Sequence, residues 1–292
     1  SHVESAEALV TLGCLVQTII PQPDLGLVAE LKRAGSSIVL VDPYAWWVDK
    51  SGTEMSTRNI VSSQVRDAIA TVNPDVVLTE TLTVPQGAFA AASLDKPHVW
   101  WIREFGDLDY DFRFPESPAD LGRLISSLSD LVLTMSEAVK QHFFPGGSDA
   151  VHVLRLKPQL PAGDLPRRGQ QDVPTIGVVA SLAPGKGHAD AIRAIAHPLL
   201  KDTPLRLRVI GHGSDEQKTS LHQLAQELGV DERIDFTGSL SSRAEVYGPV
   251  DIVAVTSRAE AYGRVPFEAT AAGRPVIYSA SGGMVELSLI HI

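Results

Sequence analysis

Residues 250–283 read VDIVAVTSRAEAYGRVPFEATAAGRPVIYSASGG, and they predict one strand–loop–helix–strand unit. The apolar, β-branched run that begins this stretch is typical of a buried parallel strand. We expect the helix to begin at Pro266, because proline favours the first helical position, and to end just before Gly273. The run PVIYSA then predicts the next strand. This order of elements indicates an α/β fold with a parallel sheet.

Glu260 and Glu268 stand where this unit can hold a ligand. Glu260 follows the strand, and open α/β sheets bind ligands at the carboxyl ends of their strands. Glu268 lies in the first turn of the predicted helix, within reach of the same crevice. The backbone N–H groups of Tyr262, Gly263 and Arg264 lead into the helix N-terminus, which suits an anion, and glycine lets the backbone approach closely. Two acceptor carboxylates beside an anion site predict a ligand with hydroxyls and phosphates.

Four further motifs in the second half of the chain belong to the same pattern. They are VPTIGVVASLAPGKGHADAIRAIA (173–196), LRLRVIGHGSDE (205–216), RIDFTGSL (233–240) and ASGGMVE (280–286). With the two glutamates, they resemble the donor-binding signature of retaining GT-B glycosyltransferases, especially glycosyltransferase family 4, the glycosyl transferases group 1. The resemblance is close from Pro174 to Glu286 and looser before it. It implies two Rossmann-like doubly wound α/β domains that face a cleft.

The resemblance also implies roles for individual residues. Glu260 would accept hydrogen bonds from hydroxyls of the donor sugar, and Glu268 from the ribose hydroxyls. Lys186, in PGKG, would balance the charge that grows on the pyrophosphate as the sugar leaves. The predicted catalytic residues are therefore Glu260, Lys186 and Arg103. The predicted donor-binding residues are Lys186, Gly211, Gly213, Phe236, Thr237, Glu260, Ala261, Tyr262, Gly263, Arg264 and Glu268.

Each of these assignments has a simpler alternative when it is taken alone. A glutamate on a short helix is often only a surface residue. The GKG run is not a phosphate loop of the G-x-x-x-x-G-K-[ST] type, because residue 180 is alanine and residue 187 is glycine. Gly211 and Gly213 are also ordinary turn residues after a strand. The joint pattern is what favours a donor site.

The first half predicts a second α/β domain. Short apolar segments predict its strands, which are LVQTIIP, SIVLVDPY, DVVLTE, PHVWWI and DLVLTMS. The segments between them that predict helices are AELKRAG, SSQVRDAIATVN and ADLGRLISSLS. No G-x-G-x-x-G follows a strand, which argues against a dinucleotide enzyme. We predict an N-terminal acceptor-side domain at 1–157, a linker at 158–173 and a C-terminal donor-binding domain at 174–292.

Two stretches of the first half carry candidate residues. Arg103 and Glu104 follow the predicted strand PHVWWI, so we expect them at its carboxyl end. The family often has a histidine in this region that contacts the transferred sugar, and the resemblance gives that place to Arg103. A surface Arg–Glu pair fits the sequence equally well. Ser136 predicts the N-cap of a helix with Glu137 in its first turn.

The chain departs from the family pattern in two respects. An arginine usually stands five residues before the lysine as a second pyrophosphate cation, and here that residue is Ser181. Arg264 or another cation would compensate, or the donor would be held less firmly. The pattern also has a first strand with a glycine-rich turn before LVQTIIP and a long segment after SGGMVE. We therefore expect a chain that is truncated at both ends and impaired in turnover.

The composition excludes several classes of function. Of 292 residues, 44% are hydrophobic and 21% are charged, and every apolar run is shorter than a membrane span. The formal net charge of −10 argues against a nucleic-acid partner. The single cysteine, Cys14, favours a reducing cytoplasm and is expected to be a buried small hydrophobe. The nine histidines show no metal-ligand spacing, so we predict neither a metal site nor a cofactor.

The function that these features favour is transfer of a sugar, a hexose in type, from a nucleoside-diphosphate sugar with retention of configuration. The acceptor is left open between a glycan, a lipid-linked molecule and a small molecule. The expected location is the cytoplasm, with contact at the inner membrane surface as an open alternative. Two other functions fit the same motifs: a non-catalytic nucleotide-sugar binding protein, and a GT-B epimerase or hydrolase acting on the same donor.

Overall fold

The computed structural model describes residues 2–21, 25–43, 62–110, 112–155, 173–240 and 242–287. The chain divides into two compact units. The first contains residues 1–106, 112–134 and 140–154, and the second contains residues 107–111, 135–139 and 155–292. The predicted linker lies outside the described residues, except for Val173.

Helices and strands alternate along the chain. From residue 2 to residue 155 the elements are α1 (His2–Thr11), β1 (Gln17–Ile20), α2 (Leu25–Arg33), β2 (Ser37–Leu40), α3 (Ser63–Val72), β3 (Val77–Glu80), α4 (Gln86–Ser93), β4 (His98–Ile102), α5 (Asp107–Tyr110), α6 (Pro118–Ser127), β5 (Leu131–Thr134), α7 (Glu137–Phe143) and β6 (Val151–Val153). From residue 173 to residue 287 they are β7 (Thr175–Val179), α8 (His188–Ile195), β8 (Arg206–Ile210), α9 (Asp215–Glu227), β9 (Ile234–Gly238), α10 (Arg243–Tyr247), β10 (Ile252–Val255), α11 (Arg264–Ala271) and β11 (Val276–Tyr278). Two short 3₁₀ turns matter for the site, Pro184–Lys186 and Gly282–Glu286.

The first unit is built on parallel strands. β3, β4, β5 and β6 form one sheet in that order, and β1 pairs with β2 in a second sheet. All five strands predicted in this half are present, and so are the three predicted helices, as α2, α3 and α6. Ser136 caps α7 as predicted, because its hydroxyl accepts a hydrogen bond from the backbone N–H of Val139 at 3.2 Å.

The second unit has helices on both faces of its sheet. Successive residues of a strand point to opposite faces, so Val209 and Ile210 of β8 belong to different core clusters. Val209 lies in the cluster that contains Ile192 of α8 and Leu221 of α9. Ile210 lies in the cluster that contains Ala269 of α11. The predicted doubly wound α/β fold is confirmed.

The order of strands in this sheet is β11-β10-β7-β8-β9, and neighbouring strands are parallel. The chain runs outward from β7 through β8 to β9 and then returns to the other side of β7 with β10. The reversal of direction therefore falls between β7 and β10. In open α/β sheets, the crevice at such a reversal is where ligands bind, outside the carboxyl ends of the strands.

Helix α11 begins two residues earlier than predicted. Gly263 adopts φ +82° as its N-cap, and Arg264 is the first helical residue. Pro266 is tolerated at the third position because the first N–H groups of a helix have no partner within the helix. Glu268 consequently lies on the second turn rather than the first. The end of the helix is as predicted, with Gly273 just beyond it at φ +65°.

Cys14 is exposed, so its predicted burial is wrong. The residue lies between the end of α1 at Thr11 and the start of β1 at Gln17, in a segment with no regular structure of its own. Its apolar neighbours do not belong to the strand that the sequence pattern indicated. Among the helices in the described ranges, none has the length and apolar character that a membrane crossing requires.

Candidate functional site

An ion pair joins the two loops at the reversal in the second unit. Lys186 lies in the loop after β7, and Glu260 lies in the loop after β10. The ammonium Nζ of Lys186 donates a hydrogen bond to the carboxylate of Glu260 at 2.9 Å. The side chains are exposed by only 11% and 22%. The structure thus brings two predicted catalytic residues together at the position where the fold favours a ligand.

Hydrogen bonds to backbone carbonyls also join the two loops. The N–H of Arg258 donates to the carbonyl of Gly185 at 2.8 Å, and the hydroxyl of Thr256 donates to the carbonyl of Lys186 at 3.0 Å. Gly187 adopts φ +73°, and a Cβ atom there would overlap the carbonyl oxygen of Thr256. Only glycine permits this approach. The ion pair is therefore held by a rigid frame.

The charge of Lys186 is favoured by its surroundings. Burial disfavours the ammonium, but the carboxylate of Glu260 outweighs this effect, and the pKa of Lys186 is raised. The ammonium also lies 5.7 Å from the ring centroid of Tyr110, on α5, within cation–π range. Lys186 is consequently a cation at neutral pH. Tyr110 was absent from the predicted set.

Glu268 is held on α11 by two neighbours. The hydroxyl of Tyr247, at the end of α10, donates to its carboxylate at 3.1 Å, and the guanidinium of Arg264 lies 3.5 Å from its other oxygen. Burial and the charge of Glu268 raise the pKa of Tyr247, so the phenol stays protonated and remains a donor. Tyr247 was not among the predicted site residues, because nothing in the local sequence pattern marks it.

The predicted glycines after β8 accommodate the neighbouring loop. A Cβ atom on Gly211, which has φ +154°, would overlap the carbonyl of Ala180. A Cβ atom on Gly213 would lie 2.6 Å from the Cβ of Leu182. The close approach observed here is therefore between the loops that follow β7 and β8. It keeps both loops at the same edge of the sheet.

Phe236 and Thr237 lie on β9, at the edge of the sheet. The ring of Phe236 packs on the imidazole of His222 with centroids 4.0 Å apart. The hydroxyl of Thr237 donates to the carbonyl of Gly238 at 3.0 Å. Both residues are partly accessible, so each retains a face that a ligand can contact.

Ala261 and Tyr262 are buried, unlike the side chain of Arg264. The ring of Tyr262 stacks on Phe267 of α11 with centroids 5.5 Å apart. Burial raises the pKa of the Tyr262 phenol. These two residues and Gly263 therefore offer a ligand their backbone groups, while Arg264 offers its guanidinium.

Ser181, which stands where the family pattern has an arginine, lies in the loop after β7. Its carbonyl is hydrogen-bonded to Nε2 of His188 at 2.9 Å. Burial lowers the pKa of His188, so the ring is neutral and donates from Nε2. His188 thus holds the backbone of this loop and adds no positive charge at neutral pH.

Arg103 belongs to the first unit. Its guanidinium pairs with Glu80 at 3.0 Å and lies over the ring of Trp101, 4.9 Å from the centroid. The two charged side chains are exposed by only 14% and 10%. Glu104, the neighbour expected in a surface pair, instead accepts hydrogen bonds from the hydroxyl of Thr81 and the backbone of Leu82. The alternative of an Arg103–Glu104 surface pair is therefore wrong.

Residues 167–288 match the family described as Glycosyl transferases group 1. The D-inositol 3-phosphate glycosyltransferase of Corynebacterium aurimucosum is 36% identical over 115 residues, which cover 37% of this chain and 27% of that protein. The enzyme of the same name from Corynebacterium jeikeium is 30% identical over 200 residues, 60% of this chain and 47% of that protein. The second half of the chain is thus similar to group 1 glycosyl transferases. The matches span less than half the length of these curated relatives.

Solved structures of glycosyltransferases share the fold. A glycosyltransferase from Rickettsia africae superposes with a TM-score of 0.73 at 21% identity, over 98% of this chain and 76% of that chain. Anabaena HepE in complex with UDP and glucose gives a TM-score of 0.69 at 19% identity, over 93% and 74%. At such identities the likeness concerns the fold, which is GT-B.

Proposed function

We propose that the protein is a glycosyltransferase that moves a sugar from a nucleoside-diphosphate sugar to an acceptor hydroxyl with retention of configuration. The observation that carries the proposal is the Lys186–Glu260 ion pair at the strand reversal of the second unit. The match of residues 167–288 to group 1 glycosyl transferases supports it. Uridine diphosphate is the first nucleotide to test, because Anabaena HepE is known in complex with UDP and with UDP-glucose.

Lys186 and Glu260 neutralise each other until a donor arrives. A sugar diphosphate offers each of them a better partner: its phosphates attract the ammonium, and its sugar hydroxyls donate to the carboxylate. As the bond between the anomeric carbon and the phosphate oxygen breaks, negative charge grows on the diphosphate. A fixed cation beside that oxygen lowers the barrier, because it stabilises charge that is larger in the transition state.

Glu268 is the proposed acceptor for the ribose hydroxyls. Tyr247 and Arg264 fix its carboxylate on the second turn of α11. A charged acceptor contributes about 1.5–3 kcal/mol per hydrogen bond. Glu260 and Glu268 would then bind different parts of the donor, the sugar and the nucleoside. This division gives each substitution a distinct expected effect.

The retaining outcome that the resemblance implies requires no separate protein base. The departing phosphate oxygen takes the proton of the incoming hydroxyl on the same face of the sugar, while the new glycosidic bond forms at the anomeric carbon. We propose that no divalent metal is needed, because Lys186 and the N-terminus of α11 carry the phosphate charge. Activity that EDTA abolishes and manganese restores would contradict this.

The test is product formation from UDP-glucose with a panel of acceptors, followed by mass spectrometry. An inositol phosphate belongs in the panel, because the curated relatives are named D-inositol 3-phosphate glycosyltransferases. A glycosylated product supports the proposal. Free sugar alone would favour a hydrolase, an isomerised donor would favour an epimerase, and binding without turnover would favour a binding protein.

A further inference from the structure

The 3₁₀ turn at Gly282–Glu286 holds the backbone of the loop that carries Glu260. The N–H of Gly283 donates to the carbonyl of Glu260 at 2.8 Å. A Cβ atom on Gly263 would overlap the sulfur of Met284, and a Cβ atom on Gly283 would overlap the carbonyl of Ala261. Gly283 and Met284 are buried. The loop therefore cannot shift towards the turn without moving the turn itself.

The carboxylate of Glu286 anchors the far end of this turn, beside a hydrogen bond from the hydroxyl of Tyr278 to the carbonyl of Leu287 at 3.1 Å. Glu286 accepts hydrogen bonds from the backbone N–H of Glu137 at 3.1 Å and of Ala138 at 2.9 Å. The guanidinium of Arg155 donates to the same carboxylate at 2.8 Å. The Glu286 side chain is only 17% exposed. All these residues belong to the second unit. Hydrogen bonds to a charged acceptor are stronger than neutral ones, so this carboxylate fixes the position of the turn.

We infer that Glu286 is a positioning residue, which sets the place of the Glu260 carboxylate through the turn and the Gly283 hydrogen bond. The inference rests on the proposed function, because it gives Glu286 a part in holding the donor sugar. No role was assigned to Glu286 from the sequence. Its motif, ASGGMVE, belongs to the family pattern, but the pattern does not say which groups the carboxylate binds.

A direct role in ligand binding is the competing explanation. Glu286 also lines an open pocket of about 90 Å³, together with Ser136, Arg155, Tyr262, Phe267, Gly283 and Leu287. A ligand in that pocket would contact the carboxylate itself. The two explanations differ in the protein without ligand. Only a positioning residue alters the Gly283 hydrogen bond when it is removed.

The first arm of the test is backbone amide hydrogen exchange of the ligand-free protein, followed by NMR. Glu286→Ala removes the acceptor, so the amides of Glu137, Ala138 and Gly283 should exchange about tenfold faster or more. The amide of Val253, bonded within the sheet region to the carbonyl of Pro275, should be unchanged. Glu286→Gln keeps one acceptor oxygen and should give an intermediate effect. Val285→Ala, at an exposed position of the same turn, is the matched control and should have none.

The second arm measures the affinity for UDP-glucose and for UDP by calorimetry. In Glu286→Ala the affinity for UDP-glucose should fall about tenfold, while that for UDP changes much less, because only the sugar contact is displaced. Unchanged exchange at Gly283 would overturn the inference and leave the proposed function standing, even if UDP-glucose affinity fell. If the unmodified protein bound neither probe, the proposed function would fail, and the exchange at Gly283 would still decide whether Glu286 positions the loop.

Discussion

The two units each place a basic residue and a carboxylate after neighbouring parallel strands, and in the second unit the pair lies at a strand reversal. In the second unit Lys186 and Glu260 follow β7 and β10, which are adjacent in space and far apart in sequence. In the first unit Glu80 ends β3 and Arg103 follows β4, in a described sheet whose strands stand in chain order. Both pairs are largely buried. Residue type and burial are therefore alike in the two pairs, and the observed strand reversal in the second unit is the feature on which the proposed donor site rests.

The surroundings of the two pairs differ as well. Lys186 pairs with Glu260, lies near the ring of Tyr110 and is also affected by the charge of Asp109. Arg103 lies near two carboxyl groups, those of Glu80 and Glu104. Burial raises the pKa of Glu104, and Glu80 also pairs with His2. His2 and Arg103 keep the pKa of Glu80 low despite its burial. The first unit thus contains a network of ionisable side chains around Arg103, in which the pKa of one carboxyl group is raised and that of another is lowered.

The largest expected effect follows from replacing Lys186. Lys186→Ala should lower turnover by about 10²–10³-fold, because the leaving diphosphate loses its fixed cation. Lys218→Ala is the control, because Lys218 also pairs with a carboxylate of the second unit but on the exposed side of α9. It should leave turnover unchanged. Equal losses in the two variants, measured by product formation, would contradict the assignment.

Replacing Glu260 and Glu268 one at a time should distinguish the contact with the sugar from the contact with the nucleoside. Glu268→Ala should weaken UDP and UDP-glucose alike, by about tenfold, because the ribose loses a charged acceptor. Glu260→Ala should weaken UDP-glucose by a similar factor and UDP much less. Calorimetry on both ligands checks the pattern. A loss of UDP affinity in Glu260→Ala as large as that for UDP-glucose would remove the proposed sugar contact.

Arg103→Ala tests whether the Arg103–Glu80 ion pair of the first unit is structural. If the Glu80 pair is structural, the variant should unfold at a lower temperature, with a loss of about 1.5–3 kcal/mol, because the carboxylate of Glu80 loses the guanidinium and keeps His2. Its affinity for UDP-glucose should be unchanged. If UDP-glucose affinity fell while the melting temperature stayed constant, Arg103 would be a donor contact instead.

The smallest effect concerns Glu104. Its folded pKa is raised by burial, so its protonated form contributes stability that is complete at low pH and is lost as pH rises above the ordinary value of 4.5. Glu104→Gln keeps an acceptor oxygen for Leu82 and cannot ionise. Relative to the unmodified protein, it should gain stability as pH rises from acid to neutral. Thermal unfolding at several pH values tests this, and a difference that is constant with pH would contradict it.

The sequence predicted five strands of the first half because they are short apolar runs bounded by turn residues, but it did not predict α1 or α4. The start of α11 was predicted at Pro266, two residues too late. Proline is as acceptable at the third helical position as at the first. The helix begins at Arg264 because Gly263 takes the left-handed conformation before it. The sequence predicted burial for Cys14 because apolar neighbours were taken for part of β1, which begins only at Gln17.

The candidate site was predicted in part, from the motifs that contain Lys186 and Glu260. Lys186 and Glu260 were expected near one ligand, and the structure brings them into contact. The partners that orient them were missed. Tyr110, Tyr247 and the backbone of 137–138 are distant in sequence from the groups they contact, and no local periodicity marks them. Such contacts depend on which elements the fold brings side by side, and a local sequence pattern does not show this.

The most direct test of the central claim is a crystal structure with UDP-glucose bound. We expect the diphosphate within hydrogen-bond distance of Lys186 Nζ, the sugar hydroxyls on the carboxylate of Glu260 and the ribose at Glu268. The ion pair between Lys186 and Glu260, now at 2.9 Å, should have exchanged for these contacts. A donor bound elsewhere, with that ion pair intact, would contradict the claim that the strand reversal of the second unit is the donor site.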